Sequence, residues 1–217
     1  YTYCFDPSVR ASLWVAYPLH KCYTSGEGNR NNSSFGYDPK VDDEVQAALG
    51  RGSYNGWYDR GHQLPAADRK CSQQMMDQTF YATNIFPQNA RLNQQNWARV
   101  EDATRDCICS DTLYVVVGTL FEEPSSFVSR GRHIARPSHC YKLLLRTRNG
   151  ETGKSISEIT DPSEIKAIGF LFENSSNAVS IDKAVVSIEE IEARSGFTFY
   201  RNLNPAVAEQ VKSQKKL

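Results

Sequence analysis

Residues 58–101 read YDRGHQLPAADRKCSQQMMDQTFYATNIFPQNARLNQQNWARVE, the densest cluster of chemistry-bearing side chains in the 217-residue chain. Tyr58 to Leu64 has an extended pattern, which Pro65 ends. Side chains on an extended piece alternate between faces, so Arg60 and His62 point the same way. Gly61 between them has no side chain, so a ligand backbone could come close. Asp59 points the opposite way and reads as structural. Ser72 is placed to cap a helix running through Gln78. Leu92 to Arg105 has helical spacing, with Trp97 and Val100 on the inner face.

Outward from this stretch, Ser12 to Leu19, Thr112 to Leu120, Tyr141 to Arg148 and Lys166 to Phe172 are apolar, β-branched and aromatic in the manner of buried strands. Residues 24 to 56 form a long polar loop with a short helix near Val45. Thr147 to Ser163 is a second loop, and Ser187 to Arg194 is a short helix ended by Gly196. Residues 204–217 read as a helical or frayed tail, Lys-rich after Val211. Mixed strands and helices without a βαβ rhythm predict an α+β fold. No repeat or linker divides the chain, which predicts one domain over residues 1–217.

A composition of 40% hydrophobic and 23% charged residues excludes a mainly disordered or fibrous chain. The longest apolar runs, such as Leu113 to Val117, fall far short of the roughly twenty residues that span a membrane. Residue 1 is Tyr and no signal peptide is present, which reads as a processed or trimmed chain. Charge sums to zero but is unevenly spread. Arg130, Arg132, Arg136, Lys142, Arg146 and Arg148 form a stretch with no acidic residue, whereas Glu158 to Glu192 is strongly acidic. The basic stretch is a candidate for contact with a polyphosphate backbone. Six cysteines, at 4, 22, 71, 107, 109 and 140, are compatible with an exported, disulfide-bonded protein. A zinc site from Cys107, Cys109, His139 and Cys140 and buried free thiols are the alternatives; the spacing fits no common zinc pattern.

Within the central stretch, a guanidinium at Arg60 can grip a phosphate through two parallel hydrogen bonds. A neutral imidazole at His62 can take a proton from water. Asn93 and Glu101 are eight residues apart on one helix, roughly on the same side and about 12 Å apart in rise. That gap is too long for both to bind one ion directly. It fits Asn93 as a direct ligand and Glu101 as the holder of a metal-bound water, the sparse, hydrated coordination that Mg²⁺ favours. Asn84 supports the site or merely satisfies loop backbone.

These residues resemble the DNA/RNA non-specific endonucleases, the ββα-metal nucleases that include endonuclease G. Family members read Asp-Arg-Gly-His, a helix ending in Thr-Phe-Tyr, then Ser/Thr-Asn, Pro-Gln, Leu-Asn-Gln, a Trp and a Glu. Here these are Asp59 to His62, Thr79 to Tyr81, Thr83-Asn84, Pro87-Gln88, Leu92 to Gln94, Trp97 and Glu101, in order. The match continues in Leu113 to Phe121 and, more weakly, in Arg136 to Lys142. Arg30, followed by Phe35 and Asp38, resembles an upstream family segment. The likeness covers most of residues 12 to 173 and is strongest over 30–145.

The resemblance implies a central, mainly antiparallel sheet flanked by helices around a ββα-metal core. It implies His62 as general base, Asn93 as the single direct metal ligand, Glu101 as the carboxylate orienting metal-bound water, Arg60 as a phosphate contact, Asn84 in support, and Arg30 as a second phosphate-binding Arg. The implied cofactor is Mg²⁺, with Mn²⁺ as a substitute. The implied activity is hydrolysis of DNA and RNA to 5′-phosphate ends, lost below roughly pH 6 where His62 would protonate. A catalytically silent relative that binds nucleic acid or protein is the alternative. Some family members are homodimers, but nothing in this sequence marks an interface. Toxicity of such a nuclease to its own cytosol, together with the cysteines, predicts secretion or a periplasmic location, with an organelle as the alternative.

Overall fold

The apolar run Leu113–Leu120 (β5) lies in the middle of a six-stranded sheet, where β-branched side chains fill both faces. The structure is a computed structural model that describes residues 1–50, 52–122, 126–129, 133–177 and 179–216. Thr2–Asp6 (β1), Ala11–Leu19 (β2), His139–Thr147 (β8), Ile165–Glu173 (β9) and Val185–Val186 (β10) complete the sheet in the order β1-β2-β5-β8-β9-β10. Every pairing in it is antiparallel. Two short pairs stand apart: Tyr58–His62 (β3) with Ile85–Asn89 (β4), and Phe127–Ser129 (β6) with Ile134–Ala135 (β7).

Each face of the large sheet carries its own apolar layer. Val15, Tyr17, Val115, Val117, Leu144 and Phe172 pack with Trp97 and Val100 on one face. Val116, Tyr141, Leu143, Leu145 and Ala167 pack on the other against Ile188–Ser195 (α5) and Pro205–Lys212 (α6). The sheet requires a glycine at Gly118, because a Cβ there would lie 2.3 Å from the Tyr141 ring. Helices therefore cover both faces of the antiparallel sheet, as the sequence predicts for an α+β chain.

The first face positions the site. β3 and β4 pair with Arg60 opposite Pro87 and His62 opposite Ile85. Asn89 then caps the following helix, its side chain accepting from Arg91 N and Leu92 N. The helix runs through Ala90–Leu92 (α3), a π turn at Asn93–Trp97, and Ala98–Asp106 (α4). The β3–β4 pair thus leads directly from β4 into this helix. Two further short helices are Lys21–Thr24 (α1), before β3, and Gln73–Gln78 (α2), in the connection between β3 and β4; Ser72 caps α2 as expected, accepting from Met75 N.

Several expectations need correction. The Lys-rich tail is held through residue 216: Lys212 pairs with Glu192 at 2.7 Å, Lys215 with Glu190 at 2.9 Å, and Lys216 bridges to Ala167. The structure lends no support to the disulfides: among the described residues all six cysteines are free, with only Cys140 buried. Among the described residues no cluster of three or more His, Cys, Asp or Glu could hold a metal, so the Cys107–Cys109–His139–Cys140 alternative falls. His139 is committed instead to Ser138 and Glu122. No helix among the described residues is long and apolar enough to cross a membrane.

Candidate active site

Arg30, Arg60, His62, Asn93 and Glu101 all line one open cavity of about 1040 Å³ between β3, the helix and the polar loop of residues 27–54. Five of the six residues expected to form the site are therefore brought together. The sixth, Asn84, does not line the cavity. It is buried, donates to Leu64 O and Thr79 O at 2.9 and 2.7 Å, and accepts from Leu64 N at 2.9 Å. Its amide ties the chain just past His62 to the end of α2.

His62 stands between two rings, 4.9 Å from Phe80 and 5.8 Å from Phe35. Its Nε2 is buried and has no hydrogen-bond partner. Burial is the largest influence on its pKa and pushes it down to about 3; the Arg30 and Arg60 charges add to this, and a hydrogen bond to the Arg60 backbone opposes it. The ring is therefore neutral at any ordinary pH, with an unused nitrogen.

Arg60 is exposed, stacks 3.9 Å above the Phe35 ring, and donates to Leu49 O at 2.9 Å. These contacts hold the guanidinium in place, and its remaining N–H groups are left for the cavity that Arg60 lines. Gly61 is glycine for a different reason from the one expected. A Cβ there would lie 2.5 Å from the Gln88 side chain, so packing between β3 and β4 excludes it, with no ligand needed to explain it.

Asp59 reads as structural in the sequence, but its Oδ2 accepts from Asn93 Nδ2 and Gln94 Nε2, both at 2.9 Å. Holding the amide nitrogen of Asn93 presents its oxygen as a free donor. Only the pairing of β3 with the helix could have revealed this, since the two residues are 34 apart in sequence.

The π turn governs the relation of Asn93 to Glu101. Eight residues of regular α-helix leave two side chains about 80° apart in azimuth. A π turn takes up one extra residue, so the effective separation is seven and the offset falls to about 20°. Both side chains accordingly reach the same cavity. Burial, the largest influence on Glu101, pushes its pKa up to about 7, and the positive charge of Lys142 opposes this. Lys142 is 0% exposed and its Nζ, 5.5 Å above the Trp97 ring, has no hydrogen-bond partner. It stands beneath the helix and takes no part in the basic outer stretch to which its sequence position assigned it. Arg130 and Arg132 of that stretch lie outside the described residues. Arg136 adjoins the site, donating to Tyr58 Oη at 3.3 Å.

This donor set fits a hydrated hard cation, because one oriented amide oxygen and one carboxylate in a polar cavity leave room for water. A family model described as DNA/RNA non-specific endonuclease matches residues 1–206. The chain belongs to the DNA/RNA non-specific endonuclease family. The match reaches well beyond the 12–173 span visible as motifs. Mitochondrial endonuclease G from Bos taurus and from Homo sapiens is each 31% identical over 94% of this chain and 68% of the relative. Mitochondrial nuclease EXOG of Xenopus laevis is 32% identical over 92% of this chain, which spans only 56% of that relative. A chain in the crystal structure of an EndoG/EndoGI complex superposes with a TM-score of 0.75 at 22% identity, covering 93% of this chain and 83% of that one. This member of the family is thus a nuclease with the ββα-metal fold. The names of its relatives agree with the organelle alternative and lend no support to secretion or a periplasmic location.

Proposed function

We propose that the chain is a divalent-metal-dependent, sugar-non-specific endonuclease acting on DNA and RNA, with His62 as general base. The observation that carries this reading is the unpartnered His62 Nε2 in the same cavity as the oriented amide of Asn93. Asn93 would hold the cation directly, and Glu101 would hold water bound to it. When bound, Mg²⁺, or Mn²⁺ in its place, would supply positive charge against the attacked phosphate and the departing oxygen.

His62 Nε2 takes a proton from a water molecule as that water attacks phosphorus in line. The P–O3′ bond breaks, the departing O3′ takes a proton from solvent water, and the products are a 5′-phosphate and a 3′-hydroxyl. Arg60 and Arg30 donate to the phosphate oxygens as their charge grows. Phe35 and Phe80 pack against the imidazole, and burial keeps it uncharged while it still lines the cavity that admits the attacking water. None of these groups reads a base edge, which is why the site accepts many sequences. We assign residues 1–217 to one nuclease unit because both apolar layers share a single sheet. An organelle location and assembly as a homodimer belong to the same proposal.

The test is digestion of plasmid and of RNA with Mg²⁺, with EDTA, and by His62→Ala protein shown to be folded by circular dichroism. Cleavage of both substrates that needs metal and is lost in the variant is expected. Absence of cleavage by the wild type across Mg²⁺, Mn²⁺ and alkaline pH would overturn the proposal.

A further inference from the structure

Asn174 stands one residue past β9 and is 3% exposed. Its backbone N–H donates to Ser138 O at 2.8 Å, which carries the β8–β9 pairing one step beyond His139 and Glu173. The residue is thereby fixed to the end of the large sheet. Its side chain reaches across to the separate β3–β4 pair. Nδ2 donates to Pro87 O at 2.9 Å and to Pro137 O at 3.1 Å, and Oδ1 accepts from Asn89 N at 2.7 Å. Pro87 and Asn89 are two apart on β4, so their backbone polar groups point to the same edge. Ala90, the next residue, donates its N–H across the pair to Trp57 O, so that edge is the outer one, away from β3. One side-chain amide therefore supplies the acceptor and the donor that a peptide group of a third strand would bring. A carboxamide is the side chain that fits, because the place calls for one acceptor and two donors.

Asn89 is also the cap of the helix, and Asn93 follows about one turn later. Asp59 fixes how the Asn93 amide is turned. Asn174 fixes where the start of the helix lies against the large sheet. We propose that Asn174 is a positioning residue for the cation site, setting the affinity for the metal from outside the cavity through Asn89 and the helix start. This rests on the reading of Asn93 as the direct metal ligand and deepens it, since Asn174 does not itself line the cavity. His62 and Arg60 are placed by separate anchors, Gln63 donating to Ser12 O at 2.7 Å and Arg60 to Leu49 O at 2.9 Å. Loosening the helix start accordingly weakens the hold on metal and leaves the base and the phosphate contact in place.

The probe is Mn²⁺, titrated into nucleic-acid-free protein and followed by the electron paramagnetic resonance of the unbound ion. Wild type is compared with Asn93→Ala, Asn174→Ala and the isosteric Asn174→Asp, which keeps an acceptor for Asn89 N but sets a second acceptor against the Pro87 and Pro137 carbonyls. The Kd for Mn²⁺ is expected to rise about tenfold in Asn174→Ala and at least as far in Asn174→Asp, with kcat at saturating Mn²⁺ changed less than about threefold. Leu145→Ala, in the apolar layer on the other face of the sheet, is expected to lower Tm and leave the Kd unchanged. A wild-type Kd in the Asn174 variants, or an equal rise in Leu145→Ala, would overturn the proposal. Loss of folding in both Asn174 variants, seen by circular dichroism, would overturn it as well, because the amide would then hold the fold as a whole. Failure of the nuclease reading is distinguishable, because it appears in the wild type as absent cleavage and as Mn²⁺ binding that Asn93→Ala does not weaken.

Discussion

At His62 burial and positive charge act in the same direction. Both disfavour the imidazolium, and together they bring the pKa from the usual 6.5 down to about 3. The base works only when neutral, so lowering its pKa extends the working range toward acid. The acid limb that an unperturbed histidine would place near pH 6 should accordingly be absent from kcat/KM, which reports the free enzyme. With saturating metal, kcat/KM is expected to stay level from pH 8 down to about pH 5, measured by initial rates. A fixed limb near pH 6.5 would show that His62 titrates normally; a limb near 7 that moves with metal concentration belongs to Glu101, pushed up to about 7 by burial. Asp59 bears on the same site through orientation. Asp59→Ala frees the Asn93 amide to rotate, so the metal concentration for half-maximal activity should rise about tenfold or more. A metal titration of activity that matches the wild type would show that Asn93 is held by other contacts.

Scale changes with the helix from Ala90 to Asp106, where one extra residue keeps two registers. Leu92 and Trp97 are five apart and both buried, and Asn93 and Glu101 are eight apart and both face the cavity. Neither spacing closes on a regular α-helix, and both close when the π turn at Asn93–Trp97 absorbs one residue. Deleting the exposed Gln95 should therefore convert the turn to regular helix with both registers kept, leaving a folded protein with measurable cleavage. Deleting the equally exposed Arg99, beyond the turn, should swing Glu101 about 100° away from Asn93 and abolish cleavage. Circular dichroism and plasmid digestion of the two proteins decide it: equal loss in both would refute the register argument. The same helix shows what sequence could and could not convey. Trp97 and Val100 lie inward as their spacing predicts, and the apolar strands β2, β5, β8 and β9 appear where their β-branched runs place them. β4 is illegible because Ile85–Asn89 carries Pro87 and amides, and it forms a strand only because β3 offers it a partner. The role of Asp59 and the burial of Lys142 are likewise long-range facts, fixed by which element each side chain meets after folding.

Over the whole molecule the net charge is zero, so attraction for a polyanion has to be local. Arg30, Arg60 and Lys70 line the cavity, and Glu27 and Asp59 on the same wall limit the field. The basic stretch of residues 130–148 contributes less than its composition implies. Lys142 is sealed beneath the helix, and the Nε of Arg148 at the far end of β8 donates to Ser163 O. Arg136 is the described member of the stretch that is bonded to β3, through Tyr58. Three cavity cations plus Arg136 give about four phosphate contacts, and counterion release at about 0.9 per contact gives a slope near −3.6 for log affinity against log salt on duplex DNA. Fluorescence anisotropy in EDTA across a salt series measures it. Arg136→Glu is expected to make the slope shallower by about one and weaken binding, whereas Arg148→Glu should leave both unchanged. A steeper wild-type slope together with sensitivity at Arg148 would mean that the strand crosses the sheet edge, and that the whole basic stretch, beyond its cavity end, carries the backbone.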